Sequence, residues 1–169
     1  MEDRILQSFL ERQQEEGLEL ARSSDLVDVL PLDGSPARHY RLSFHCRGLV
    51  KDAGGQIRTA ERFEVGVRFL SDYLRRADTF HALAWFGPSN VFHPNIHDKA
   101  PLICIGRLAP GTPLVDIVYQ CFEIITYNKL KIDDALNQEA SAWARRNKHM
   151  FPIDRRPLKR RVLEIEERP

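Results

Sequence analysis

The sequence predicts an α+β domain: an N-terminal helix, a four-stranded antiparallel meander, an irregular loop, then two helices and a C-terminal tail. Three observations predict it. Apolar residues recur at helical spacing near the start of the chain and again after residue 112. Between residues 26 and 85 they alternate with polar residues at strand spacing, interrupted by turn-forming residues. From Val91 to Gly111 neither period holds, and Pro, Gly, Asn and His are frequent. A chain of 169 residues has room for one sizeable core, placed here in residues 1–150, with residues 151–169 as a basic-then-acidic tail.

Each element has its own signal. Ile5, Leu6, Phe9 and Leu10 fall between Arg4, Glu11, Arg12, Glu15 and Glu16, which describes an amphipathic helix with Gly17 as its stop. Leu26–Leu30 alternates as a first strand, and Asp33-Gly34 supplies a turn. Tyr40 to Val50 reads as a second strand with Tyr40, Leu42, Phe44 and Cys46 on one face, so Cys46 is expected in the core. After the turn residues Asp52-Ala53-Gly54-Gly55, Phe63, Val65, Val67 and Phe69 alternate as a third strand. A short fourth strand is expected over Thr79–Trp85. Thr112 suits a helix N-cap and Pro113 a first helical position. Leu114, Ile117, Val118, Cys121, Phe122 and Ile125 then form an apolar stripe that buries Cys121. The last helix is expected to be capped by Asp133 or Asp134, with Leu136, Ala140, Trp143 and Ala144 facing inward. The tail carries Arg155, Arg156, Lys159, Arg160 and Arg161, then Glu164, Glu166 and Glu167, and reads largely as a solvated arm.

Bulk composition excludes several classes. Hydrophobic residues at 43% and charged residues at 29% are ordinary for a soluble globular chain. A formal net charge of +1 gives no reason to expect nucleic acid or an anionic membrane as partner. No apolar run approaches the ~20 residues that a bilayer requires. Three scattered cysteines form no disulfide framework, and the start Met1-Glu2-Asp3-Arg4 does not read as a secretory signal, so a reducing, cytoplasmic setting is expected. His81, His93, His97 and Cys104 lack metal-ligand spacing, so no metal is expected.

The irregular segment is where chemistry is expected, because long loops in small domains are commonly functional. It runs Val91-Phe92-His93-Pro94-Asn95-Ile96-His97-Asp98-Lys99-Ala100-Pro101-Leu102-Ile103-Cys104-Ile105-Gly106. Phe92-His93-Pro94-Asn95-Ile96 followed by Ile103-Cys104-Ile105 resembles the active-site segment of ubiquitin-conjugating enzymes, where a His-Pro-Asn tripeptide precedes an Ile-Cys-Leu-type cysteine by nearly the same distance. Asp72-Tyr73 resembles the family's Asp-Tyr-Pro step, and Asp133-Asp134-Ala135-Leu136 its Asp-Asp-Pro-Leu loop. The resemblance spans residues 1 to 147 and implies the ubiquitin-conjugating (UBC) fold. One extra residue separates Asn95 from Cys104, the usual tryptophan after the cysteine is missing, and the later loop and helical region are short. Those departures are similar to compact bacterial conjugating proteins of antiphage operons, often called Bil-type.

The resemblance implies roles for particular residues. Cys104 would accept the C-terminal carboxyl of a ubiquitin-like protein from an activating enzyme, as a thioester, and pass it to an amine on a target protein. Thiols exchange with thioesters without a general base, and no histidine sits at a spacing that demands a Cys-His pair, which argues against a cysteine protease. Lys99 and Arg107 would favour the thiolate. Asn95 has two readings: an amide donor to the oxyanion of transfer, or a loop asparagine bonding to backbone. His93 and Pro94 are expected to shape the turn. Asp133 and Asp134 either position and deprotonate the incoming lysine or cap the last helix. Arg4 and Arg12 are expected to face the activating enzyme. No cofactor is implied, since the activating enzyme uses the ATP. The alternative from another class is a non-catalytic module of the same fold that only binds a ubiquitin-like protein.

Overall fold

The computed structural model describes residues 3–160. Helix α1 (Arg4–Arg22) opens it, with the Asp3 carboxylate accepting from the N–H groups of Ile5 and Leu6. The helix does not stop at Gly17, as the sequence suggested. Gly17 is buried mid-helix, where a Cβ would lie 2.8 Å from Leu114 Cδ2. Its role is close approach between helices, and the helix runs a further turn to Leu20, which is also buried.

Strands β1 (Val27–Pro31), β2 (His39–Phe44), β5 (Phe63–Arg68) and β6 (Leu83–Gly87) form an antiparallel sheet in the order β1-β2-β5-β6. The register pairs Val29 with Leu42, Leu42 with Val65 and Val65 with Trp85, so one face is continuously apolar. Helices α1 and α3 (Leu114–Ile125) complete that core, in which Tyr40, Leu42, Phe44, Val65, Ile117 and Val118 are buried. Cys46 and Cys121 are buried in it, as their positions on apolar stripes predicted.

Two expected strands are revised. The segment read as one strand over Tyr40–Val50 ends at Phe44, turns at His45–Arg47, and resumes as β3 (Gly48–Lys51). Strand β3 pairs with β4 (Ile57–Ala60) as a separate two-stranded sheet. The chain leaves the main sheet by passing over Phe63, whose ring lies 2.6 Å from where a Cβ on Gly48 would stand. The expected fourth strand over Thr79–Trp85 is half helix. Asp78 accepts from the N–H groups of Phe80 and His81 and starts a single turn, α2 (Thr79–Ala82), so β6 begins only at Leu83.

The C-terminal half is also capped differently from expectation. Thr112 does not cap α3, because its hydroxyl turns back to Ala109 O. The buried Gln13 of α1 takes that place, its Oε1 accepting from Leu114 N at 2.8 Å. Neither Asp133 nor Asp134 caps α4 (Gln138–Arg146). Asn137 does, its Oδ1 accepting from Ala140 N, because the chain first folds back to bond with Pro94 O. The inward residues Ala140 and Ala144 are buried, and Trp143 packs at 5.7 Å on Phe92. A 3-10 turn (Lys148–Met150) follows.

Residues 151–160, read as the start of a solvated arm, lie against the domain. Leu158 is buried, and Arg160 N donates to Ser23 O. The side chain of Asp154 is fully buried, accepting from Arg47 N, Arg156 N and the Arg156 guanidinium. Val162, Leu163, Ile165 and the acidic end of the tail lie outside the described residues.

The Arg156 guanidinium, helped by backbone N–H groups, holds the Asp154 carboxyl at about 2, well below its ordinary value. The folded value is the lower one, so this stabilisation is complete above about pH 4 and fades as pH falls through about 2. Replacing Asp154 by Ala is expected to cost ~2–3 kcal/mol at neutral pH. In urea titrations the difference from the parent protein should shrink as pH is lowered from about 4 toward 2.

Candidate active site

The tripeptide and the cysteine face each other in a small hairpin. Cys104 N donates to Asn95 O at 2.9 Å, Ile96 bridges to Ile103, and His97 N donates to Leu102 O. The tip is closed by His97, whose Nδ1 accepts from Lys99 N and Ala100 N. Pro101 O accepts from Trp85 N, which fastens the hairpin to β6. The hairpin tip is thus formed by residues 97–102. Lys99 stands there, exposed.

The turn His93–Asn95 is buried, and most of its polar groups are hydrogen-bonded. His93 Nδ1 accepts from Asn95 N at 2.9 Å, and the ring packs 4.4 Å from that of Tyr127. Tyr127 adopts a left-handed backbone (φ 61°), and its hydroxyl donates to Phe92 O. Pro94 O accepts from both Leu136 N and Asn137 N. Asn95 Oδ1 accepts from Lys131 N at 2.9 Å. That bond fixes the amide orientation and leaves Nδ2 without a protein partner among the described residues. Asn95 therefore does what its structural reading requires, with its donor group still to spend.

Cys104 itself is half-buried, unlike the other two cysteines. The backbone beyond it is held from two sides: Thr79 Oγ1 donates to Gly106 O at 2.7 Å, and Lys129 Nζ donates to Ile105 O at 2.9 Å. Gly106 needs a left-handed conformation there (φ 98°), which side-chain-bearing residues rarely adopt. Cys104 opens on a groove shared with Arg75, Arg76, Asp78, Arg107 and Pro110. Of these, Arg107 was anticipated. Arg75, Arg76, Thr79 and Lys129 were not, because nothing in their local sequence announces contact with a cysteine so distant along the chain.

The remaining candidates are exposed. Asp133 pairs with Arg145 at 3.1 Å, and Asp134, in a left-handed conformation (φ 54°), lies 3.7 Å from Lys131 Nζ. Both belong to the loop that Asn95 and Pro94 fasten down. Arg4 and Arg12 are exposed on α1 and have no ion pair among the described residues. No helix among the described residues is long and apolar enough to cross a membrane.

An α+β domain with this order of elements has the fold of ubiquitin-conjugating domains. Comparison with solved structures agrees. The chain is similar to a protein described as a novel ubiquitin-conjugating enzyme, with a TM-score of 0.57 and 14% identity, covering 86% of this chain and 88% of that one. It is equally similar to the E2 domain of a Toxoplasma gondii ubiquitin conjugating enzyme, with a TM-score of 0.57 and 14% identity, covering 86% of this chain and 91% of that one. At such identity the likeness defines the fold. No protein-family model matches the sequence, and no curated protein matches it.

The buried turn has a pH signature. Complete desolvation pushes the His93 imidazole down to about 3, and its Nε2 has no partner. The unfolded chain binds a proton below about 6.5 where the folded one does not, so stability falls as pH drops from about 6.5 to 3. The slope from this group approaches ~1.4 kcal/mol per pH unit. His93→Asn, which keeps an acceptor for Asn95 N, should be less stable at neutral pH. Its urea-unfolding free energy should nevertheless show a shallower decline between pH 6.5 and 4.

Proposed function

We propose that the protein is a ubiquitin-conjugating-type enzyme that carries a ubiquitin-like protein as a thioester on Cys104. The observation supporting this most directly is the hairpin that presents Cys104 beside Asn95 while Cys46 and Cys121 are buried. Burial pushes the thiols of Cys46 and Cys121 up to about 12, which leaves them inert at neutral pH.

Loading is a thiol–thioester exchange. The Cys104 thiolate attacks the carbonyl carbon of the ubiquitin-like protein's C-terminus, a new C–S bond forms, and the activating enzyme's cysteine leaves as thiolate. Transfer follows the same carbon. A neutral target amine attacks, the C–N bond forms, the C–S bond breaks, and the proton lost by nitrogen ends on the departing Cys104 sulfur. Negative charge develops on the carbonyl oxygen in between, and the free Nδ2 of Asn95 is the donor available to it. Asp133 or Asp134, exposed on the tethered loop, takes the role of orienting the incoming amine. Arg4 and Arg12 serve the activating enzyme. No cofactor is needed on this chain.

The finer reading places it among compact conjugating proteins of bacterial antiphage systems, working in the cytoplasm. Its support is the brevity of the parts after the cysteine: residues 105–113 alone separate Cys104 from α3, and α4 has 9 residues. On this reading, genes for a ubiquitin-like protein and an activating enzyme adjoin its own; a neighbourhood with neither would remove the antiphage assignment.

Incubation with activating enzyme, ubiquitin-like protein and ATP is expected to give an adduct that thiol reductant removes. Cys104→Ala should abolish it, while Cys46→Ala and Cys121→Ala should retain it. An adduct on the Cys104→Ala protein would sink the assignment, and no adduct on the parent protein would favour the binding-module alternative. In the same assay Asn95→Asp, which keeps the acceptor for Lys131 N but removes the donor, should load normally. Its discharge to lysine should slow by about 100-fold.

A further inference from the structure

The groove of about 460 Å³ that Cys104 opens on is cationic. Three arginines, Arg75, Arg76 and Arg107, are among its lining residues, against one acidic residue, Asp78. Asp78 is already engaged: its Oδ1 accepts from Phe80 N and His81 N and lies 3.6 Å from the His81 imidazole. Arg75 reaches Asp3 at 3.6 Å. Arg76 and Arg107 are exposed and have no ion pair among the described residues. The whole chain is close to neutral, with 25 basic and 24 acidic residues. A local excess of this sign beside the one accessible cysteine is therefore a property of the groove and not of the surface at large.

We infer that this groove receives acidic residues flanking the acceptor lysine of the target protein. The inference rests on Cys104 being the acyl carrier. A ubiquitin-like donor on that sulfur is held by a covalent bond and needs no groove to keep it there. The target meets the thioester only by diffusion, so its residence depends on contacts beside the sulfur and on long-range attraction. Unpaired guanidinium groups attract carboxylates and repel basic segments, and their fork geometry suits a carboxylate. The same cations disfavour the ammonium form of a lysine placed among them, which raises the fraction of neutral, nucleophilic amine. Exposed charge pairs are individually weak, so two of them are expected to give about a tenfold preference, lost at high salt.

The test uses the full chain, acylated on Cys104 by exchange with the mercaptoethanesulfonate thioester of N-acetylglycylglycine. Discharge is followed with three peptides of equal length, in which one lysine is flanked by Glu, by Ser or by Arg. The Glu peptide should react about tenfold faster than the Ser peptide in 50 mM salt and at nearly the same rate in 500 mM. The Arg peptide should be slowest. In the protein carrying Arg76→Ser and Arg107→Ser the Glu-to-Ser rate ratio should fall to about one. A second readout is the anisotropy of the fluorescein-labelled Glu peptide with the unloaded protein, where the double variant should bind several-fold more weakly.

Equal discharge of the three peptides, or a preference that survives in the double variant, overturns the inference while a loaded Cys104 leaves the carrier reading intact. A Cys104 that does not load, with arginine-dependent binding of the Glu peptide retained, does the reverse. Slower loading of the double variant by a full ubiquitin-like donor, with equal peptide rates, would assign the acidic partner to the donor and reject the target.

Discussion

Everything distinctive about this molecule hangs on the turn at His93–Asn95. Asn95 alone holds three parts of the chain together: its carbonyl accepts from Cys104 N, its side chain from Lys131 N, and its own N–H is spent on His93. Pro94 contributes no N–H, and its carbonyl takes two donors from the approach to α4. The cysteine hairpin and the α3–α4 loop are thus both tied to the His93–Asn95 turn, and Lys129 adds a direct bond from that loop to Ile105 O. Polar groups buried this deeply are costly unless paired, and here the pairing is what fastens both Cys104 and the loop carrying Asp133 and Asp134 to one turn. The exception is His93 Nε2, which stays unpaired against the Tyr127 ring.

The site built on this turn is rigid in its backbone and sparing in its chemistry. Cys104 and the two residues after it are fixed by Asn95, Lys129 and Thr79, yet the sulfur opens on a groove. Among the described residues no histidine is hydrogen-bonded to Cys104; His93 is buried and His97 is engaged at the hairpin tip. Thioester exchange is nearly isoenergetic and asks for access and orientation more than for proton abstraction. On the proposed function, the half-buried Cys104 and its fixed backbone answer that demand.

Much of this was legible in the residues, and the failures have physical causes. Period-two and period-3.6 patterns located β1, β5, α1 and α3, and placed Cys46 and Cys121 inside, because burial of one face dictates the pattern. The irregular run from Val91 marked the hairpin and the turn. What sequence missed was decided at long range. Gly17 resembles a helix stop but is small because Leu114 lies against it. Thr112 resembles a cap, but Gln13 occupies that place from another helix. Asp133 and Asp134 precede a helix, yet the fold-back onto Pro94 shifts its start to Gln138. Strand β4 escaped notice because Ile57–Ala60 is only partly buried and its alternation is weak. Arg75, Arg76, Thr79 and Lys129 meet the cysteine only through the fold.

The bond from Leu114 N to Gln13 also sets how far the chain must reach to close the fold. Its ends lie 101 residues apart, and the contact of Arg47 N with Asp154 spans 107. The apolar face of the first helix is completed by α3, far along the chain, and not by its immediate neighbours in sequence. The sheet alone does not satisfy it, and the last ten described residues are what lock the corner after β2. Closures of such length are slow, since their entropy is lost before any contact rewards it. The first helix and the corner after β2 therefore reach their final packing late in folding, after segments more than 100 residues away have come to them.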